Sequence, residues 1–229
     1  MHVEVFADPD EVARQAARFV ATQARESVTA RGRFVMAVSG GQTPWQMLRA
    51  LAAEQMPWQA VHIVQVDERV APAGDAARNL THIKECLLPA GHVRPEQILA
   101  MPVERADLEA AADGYARTLA TVAATPPILD LAHLGLGPDG HTASLVPGDP
   151  ALTIRDRDVA ISGVYQGHRR MTLTYPMLDR ARCILWLVTG TSKTTVLPKL
   201  LAADAAIPAG RVVQTRATLF ADRAAVGEE

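Results

Sequence analysis

The chain has 229 residues, 48% apolar and 21% charged, with a formal net charge of −2. This is ordinary globular composition with enough length to bury a sizeable core. It excludes a broadly basic nucleic-acid or membrane surface, so any anion site must be built locally from a few cations and backbone amides.

The start, Met1-His-Val-Glu-Val-Phe-Ala-Asp8, alternates as a strand and does not resemble a signal peptide. No run reaches the roughly 18–20 apolar residues of a membrane span, and a cytoplasmic protein is expected. Asp8-Pro9 then supplies an N-cap and a first-turn proline for a helix to about Ala30, with Val12, Ala16, Phe19, Val20 and Ala24 on its inner face. Phe34–Val38 reads as a short buried strand, and Thr43-Pro44 as the cap of a helix through about Ala53. Val61–Val66 is the next strand, and Thr81–Leu88 and Asp107–Ala123 read as helices. Strands are expected at Ile128–Leu136, Val159–Val164, Arg170–Thr174 and Cys183–Val188, followed by a helix from Ser192 to Ala203.

Short apolar runs separated by amphipathic helices imply an α/β, three-layer, Rossmann-like fold. Its sheet is mostly parallel and covered by helices on both faces. A small antiparallel excursion is expected around residues 150–175, within one domain spanning 1–229. Cys86 and Cys183 lack metal-ligand spacing, and Cys183 opens an apolar run, so a buried free thiol is expected there.

Ligands of open parallel sheets sit at the carboxyl ends of the strands, and four polar clusters fall at such ends. Ser39-Gly-Gly-Gln-Thr-Pro44 is either an anion cradle, through Ser39, Gly40, Gly41 and Thr43, or a tight turn before a capped helix. Asp67-Glu-Arg69 is either a solvated loop or a site in which Arg69 forks onto a phosphate or carboxylate. Gly135-Leu-Gly-Pro-Asp-Gly-His141 breaks a buried strand into a glycine-rich turn that offers Asp139 and His141. In Gly190-Thr-Ser-Lys193 a lysine in the first helical turn opposes the helix dipole, a cost that a bound anion would offset. The Walker spacing is absent. Arg169 and Arg170 read equally as an exposed strand edge or as added anion-binding charge.

Together with Asn79, Arg170-x-Thr-Leu-Thr174 and Pro208-Ala-Gly-Arg-Val212, these motifs resemble, in this order, the 6-phosphogluconolactonases of the glucosamine-6-phosphate isomerase/6-phosphogluconolactonase superfamily. The resemblance runs from about Phe34 to the C-terminus. Three positions depart from it: Val146 where Phe is usual, Arg78 where Ser is usual, and Asp179 where Asn is common. The first two are expected to reshape the pocket rim. The related deaminases carry a glutamate shortly after the histidine, where this chain has Thr142-Ala-Ser-Leu-Val146.

The resemblance implies hydrolysis of a small sugar-phosphate lactone, 6-phospho-D-glucono-1,5-lactone, without metal or cofactor. His141 is the base, and Asp139 either orients its imidazole or shapes the turn. Ser39–Thr43, Lys193 and Arg170 hold the phosphate, Asp67 accepts sugar hydroxyls, and Arg69 or glycine-turn amides stabilise the oxyanion. The rivals are an amino-sugar-phosphate isomerase or deaminase, disfavoured by the missing glutamate, and a sugar-phosphate-sensing effector domain. The effector reading is disfavoured because the first 33 residues hold too little for a helix-turn-helix. No nucleic-acid or membrane partner is expected, and the chain is expected to be a monomer or a weak homo-oligomer.

Overall fold

The computed structural model describes residues 1–228. Strand β1 (His2–Phe6) leads into α1 (Pro9–Arg31), where Asp8 accepts a hydrogen bond from the Glu11 amide at 2.7 Å and Gly32 closes the helix at a φ of 71°. Its buried stripe, Val12, Ala13, Ala16, Ala17, Val20, Ala21 and Ala24, follows the helical repeat. Small residues in that stripe let the helix lie close to the sheet.

The chain continues through β2 (Phe34–Val38), α2 (Gln42–Leu51), β3 (Val61–Gln65), β4 (Asp67–Arg69), α3 (Asn79–Leu87), β5 (Ile98–Leu99) and α4 (Leu108–Ala123). It is completed by β6 (Leu131–Gly135), β7 (Val159–Tyr165), β8 (His168–Leu173), α5 (Tyr175–Asp179), β9 (Ile184–Val188), α6 (Leu197–Leu201), β10 (Ala217–Asp222) and α7 (Arg223–Val226).

Among the described residues, seven strands form one parallel sheet in the order β1-β10-β9-β6-β2-β3-β5. Each central strand is buried on both faces, which explains the continuous apolar runs. Phe34, Met36 and Val38 of β2 pack with α1, α2 and α3, while Val35 and Ala37 face the side that holds α4.

A second sheet, antiparallel in the order β4-β8-β7, stands on the carboxyl ends of the first. Only Val66 separates β3 from β4. Its amide donates to the Val38 carbonyl of the main sheet, and its carbonyl accepts from Leu173 of the small one. One strand thereby passes from floor to wall.

Several elements differ from the expected ones. Strand β10 was not expected, yet it sits between β1 and β9; its short Ala-Thr-Leu-Phe-Ala run carries no recognisable period. Helix α2 begins at Gln42 with Gly41 in the cap position and no side-chain cap bond, so Thr43 does not cap it. The expected helix from Ser192 to Ala203 is a single 3-10 turn, Thr191–Lys193, followed by the separate α6. Lys193 therefore opposes no helix dipole, and there is no dipole cost for a bound anion to offset. Cys183 is half-buried and Cys86 is the buried free thiol. Burial pushes the Cys183 thiol up to about 11.

Candidate active site

β9, β6, β2 and β3 are consecutive in the sheet, so their carboxyl ends meet in one place. A cavity of about 210 Å³ opens there, smaller than the roughly 300–1,000 Å³ of drug-sized ligand sites. Its floor is Gly135–Pro138 after β6, with Ser39 and Gly40 after β2 on one side. Asp67, Arg69, Asn79 and Arg170 form the wall, and His141 and Lys193 complete it.

Two glycines are required by close approach. A Cβ on Gly137 would overlap the His141 imidazole, and one on Gly40 would overlap the Asn79 carboxamide. At both positions backbone lies where a side chain would otherwise stand.

His141 Nδ1 lies 2.6 Å from Asp139 Oδ1, and the His141 backbone amide donates to the same oxygen at 3.2 Å. Burial works against the Asp139 charge, but the hydrogen bonds from His141 and Tyr165 outweigh it and hold the carboxyl below the usual carboxylate range. An ionised Asp139 keeps the imidazole proton on Nδ1 and leaves Nε2 with its lone pair. Asp139 itself stands behind His141, outside the cavity lining.

In the same lining, Arg69 and Arg170 are cross-strand partners on β4 and β8. Like charges directly opposite repel, yet Arg170 is 3% exposed. Burial and the neighbouring Arg69 charge both pull the Arg170 guanidinium below its ordinary range. The Nε atoms of both arginines are buried without a hydrogen-bond partner among the described residues. Asp67 offsets part of this charge at 3.8 Å from Arg170 Nη1. Its carboxylate also accepts from Ser144 Oγ at 2.6 Å and from Asn79 Nδ2 at 3.3 Å. A second anion between the arginines would satisfy what Asp67 leaves unpaired.

Lys193 comes from the turn after β9. The buried Asp222 carboxylate fixes that turn by accepting from the Gly190 amide at 3.0 and 3.1 Å. Burial lowers the Lys193 ammonium from its ordinary value, partly opposed by the Asp139 charge.

The remaining expected site residues, Gly41 and Thr43, lie outside the lining; the Thr43 hydroxyl instead meets the Thr189 hydroxyl at 2.6 Å. Arg78 and Val146 do not shape the rim. Arg78 points away to Glu68 at 3.1 Å and Glu104 at 2.7 Å, and Val146 is packed in the interior. Asp179 accepts from the Val213 amide at 2.9 Å. Ser144, Asp222 and Tyr165 were not singled out from sequence. For Tyr165 the usable signal was the short Tyr-Gln-Gly-His turn between two strands.

A roomier cavity of about 740 Å³ lies beside Arg25, Trp58 and His92, next to residues that precede β3, and gathers no comparable set of charged groups.

Residues 7–221 match the family described as glucosamine-6-phosphate isomerases/6-phosphogluconolactonase. The chain belongs to that family. It is 36% identical over 190 residues to a 6-phosphogluconolactonase from Synechocystis, covering 81% of this chain and 79% of that protein. The crystal structure of a 6-phosphogluconolactonase from Shewanella baltica matches with a TM-score of 0.85 and 28% identity over 97% of each chain. A monomeric glucosamine-6-phosphate deaminase matches with a TM-score of 0.87 over 100% of both chains at 20% identity. The fold is thus shared by members with different chemistries, and only the side chains can choose between them.

Among the described residues, Asp67 is the one carboxylate in the cavity lining. The stretch after the histidine, Thr142 to Val146, carries none.

Proposed function

We propose that this chain, through a single domain, hydrolyses 6-phospho-D-glucono-1,5-lactone to 6-phosphogluconate, with His141 as general base and without a metal. The observation that carries the reading is one imidazole nitrogen left free of Asp139, in a cavity it shares with three cations and, among the described residues, with Asp67 as the one carboxylate. A δ-lactone is an activated ester, so one placed base and oxyanion stabilisation are enough.

Nε2 of His141 takes a proton from water as its oxygen bonds to the ring carbonyl carbon. The tetrahedral oxyanion forms near the Gly137 turn and Arg69. As it collapses, the bond from that carbon to the ring oxygen breaks, and the imidazolium returns the proton to the departing oxygen. Asp139 holds the imidazole and stabilises its cationic form. The remote phosphate is gripped by the Ser39–Gly40 backbone, Arg170 and Lys193, which orients the lactone over the base. Asp67 and Asn79 accept sugar hydroxyls; Asn79 Oδ1 is buried and unpartnered among the described residues.

The test is a coupled assay on freshly made lactone, following 6-phosphogluconate through its NADP-dependent dehydrogenase and subtracting spontaneous opening. A rate well above background that survives a chelator supports the reading. A background rate, with ammonium released from glucosamine 6-phosphate, would replace it with deamination. Lys193→Ala is expected to raise KM about 10- to 100-fold, the loss of one charge-assisted contact, with little change in Tm. If the variant unfolds instead, Lys193 is structural.

A further inference from the structure

We propose that Tyr165, at the tip of the β7–β8 hairpin, is a positioning residue that joins the two ends of the site. Its hydroxyl holds Asp139 against His141, and its ring holds the guanidinium of Arg170. The proposal rests on the reading of His141 as the base.

The Asp139 carboxylate is gripped at both oxygens. Oδ1 takes His141 Nδ1 at 2.6 Å, and Oδ2 accepts from the Tyr165 hydroxyl at 3.1 Å. That hydroxyl lies 3.4 Å from His141 Nδ1, and the two rings meet edge to face with centroids 5.1 Å apart. The Asp139 side chain is 36% exposed, and a hydrogen bond so open to water holds its own geometry weakly. The second donor removes the rotation that Asp139 would otherwise have. Burial and the Asp139 charge push the Tyr165 phenol above its ordinary range, so it remains a donor.

The other face of the tyrosine serves the anion end. Arg170 Cζ sits 5.1 Å from the ring centroid, and Arg170 Nη2 donates to the Tyr165 carbonyl at 3.3 Å and to Gln166 Oε1 at 3.4 Å. The turn itself is left-handed at two successive residues, with φ of 50° at Gln166 and 83° at Gly167. This is the geometry that closes a tight hairpin, although Gln166 lacks glycine's freedom. Such a conformation persists where its surroundings over-determine it, and Arg170 supplies that restraint from inside the cavity. One side chain thus fixes both the nitrogen that takes the proton and the cation that fixes the substrate.

The two functions separate by substitution. Tyr165→Phe keeps the ring and loses the hydroxyl. It is expected to lower kcat roughly 3- to 10-fold, the scale of one hydrogen bond to a charged group, with KM unchanged. Tyr165→Leu loses the ring as well and is expected to raise KM in addition.

The decisive readout needs no substrate. In ¹⁵N spectra of the free protein, with the His141 signals assigned by their loss in His141→Ala, the parent is expected to show the Nδ1–H form alone. Tyr165→Phe is expected to add a visible Nε2–H population. A parent-like tautomer and kcat in Tyr165→Phe would overturn the proposal, as would a change confined to Tm. If the parent opens the lactone no faster than background, the proposed function fails. The tautomer comparison still decides whether Tyr165 positions the pair.

Discussion

His141→Ala is expected to lower kcat by about 10²–10⁴-fold, the range for loss of a general base, with the fold intact. At one factor of ten per 1.36 kcal/mol this is roughly 3–5 kcal/mol of barrier. The fold should survive because the imidazole sits in a surface turn. Its side-chain partners are Asp139 and Tyr165, and its ring covers Gly137 without entering either core. A solvent-exposed hydrogen bond of this kind contributes only about 1 kcal/mol to stability. The coupled assay reads the rate and a thermal melt reads the fold. An unchanged rate would remove His141 as the base, whereas a collapsed Tm would make it structural. Some acceleration over spontaneous opening should remain, because the cations and backbone amides still bind and orient the lactone.

The second large effect concerns a different histidine. His133, in the middle of β6, is fully buried; its Nδ1 accepts from the Ser39 amide at 3.2 Å, while Nε2 has no partner among the described residues. Burial pushes its pKa from 6.5 down to about 3. Between those values the unfolded chain binds a proton that the folded chain refuses, so stability rises with pH across that window. The stabilisation is full above about 6.5 and is lost as pH falls toward about 3. The loss is on the order of 4 kcal/mol by the lower limit.

His133→Asn keeps an acceptor near the Ser39 amide and cannot titrate. It should lower stability at neutral pH through the volume removed, yet show a flatter decline in Tm between about pH 6.5 and 4. Parallel slopes in parent and variant would show that other groups carry the acid sensitivity. The bond also ties the core to the site, because the Ser39 amide it fixes begins the loop that lines the cavity.

Much of this architecture was legible in the residues themselves. The apolar runs at Phe34–Val38 and Ile184–Val188 are readable because strands buried on both faces admit little else. Asp8-Pro9 marks the start of α1 through capping chemistry that acts over a single turn, whereas the left-handed Gly32 that closes the helix was not singled out. Strand β10 was not readable, since a five-residue run of Ala, Thr, Leu and Phe becomes a strand only between β1 and β9.

Arg170 was weighed as an exposed strand edge, but β4 and β7 flank it on both sides and place it opposite Arg69. The Arg78 departure looked like a change at the site rim. It proved to be a buried partner for Glu68, whose carboxylate also accepts from the Asn79 and Leu80 amides.

Sequence alone was sufficient for the parallel α/β sheet, the polar ends of four strands and the family. Each of these depends on side chains within a few residues of one another, where capping, periodicity and turn chemistry operate. Which strand ends adjoin, which arginine is buried, how Lys193 is presented and which tyrosine reaches Asp139 depended on strand order and cross-strand register. Those are set by the packing of segments far apart in the chain, as in the pairing of Arg69 with Arg170 and of His2 with Thr218, and no local pattern encodes them.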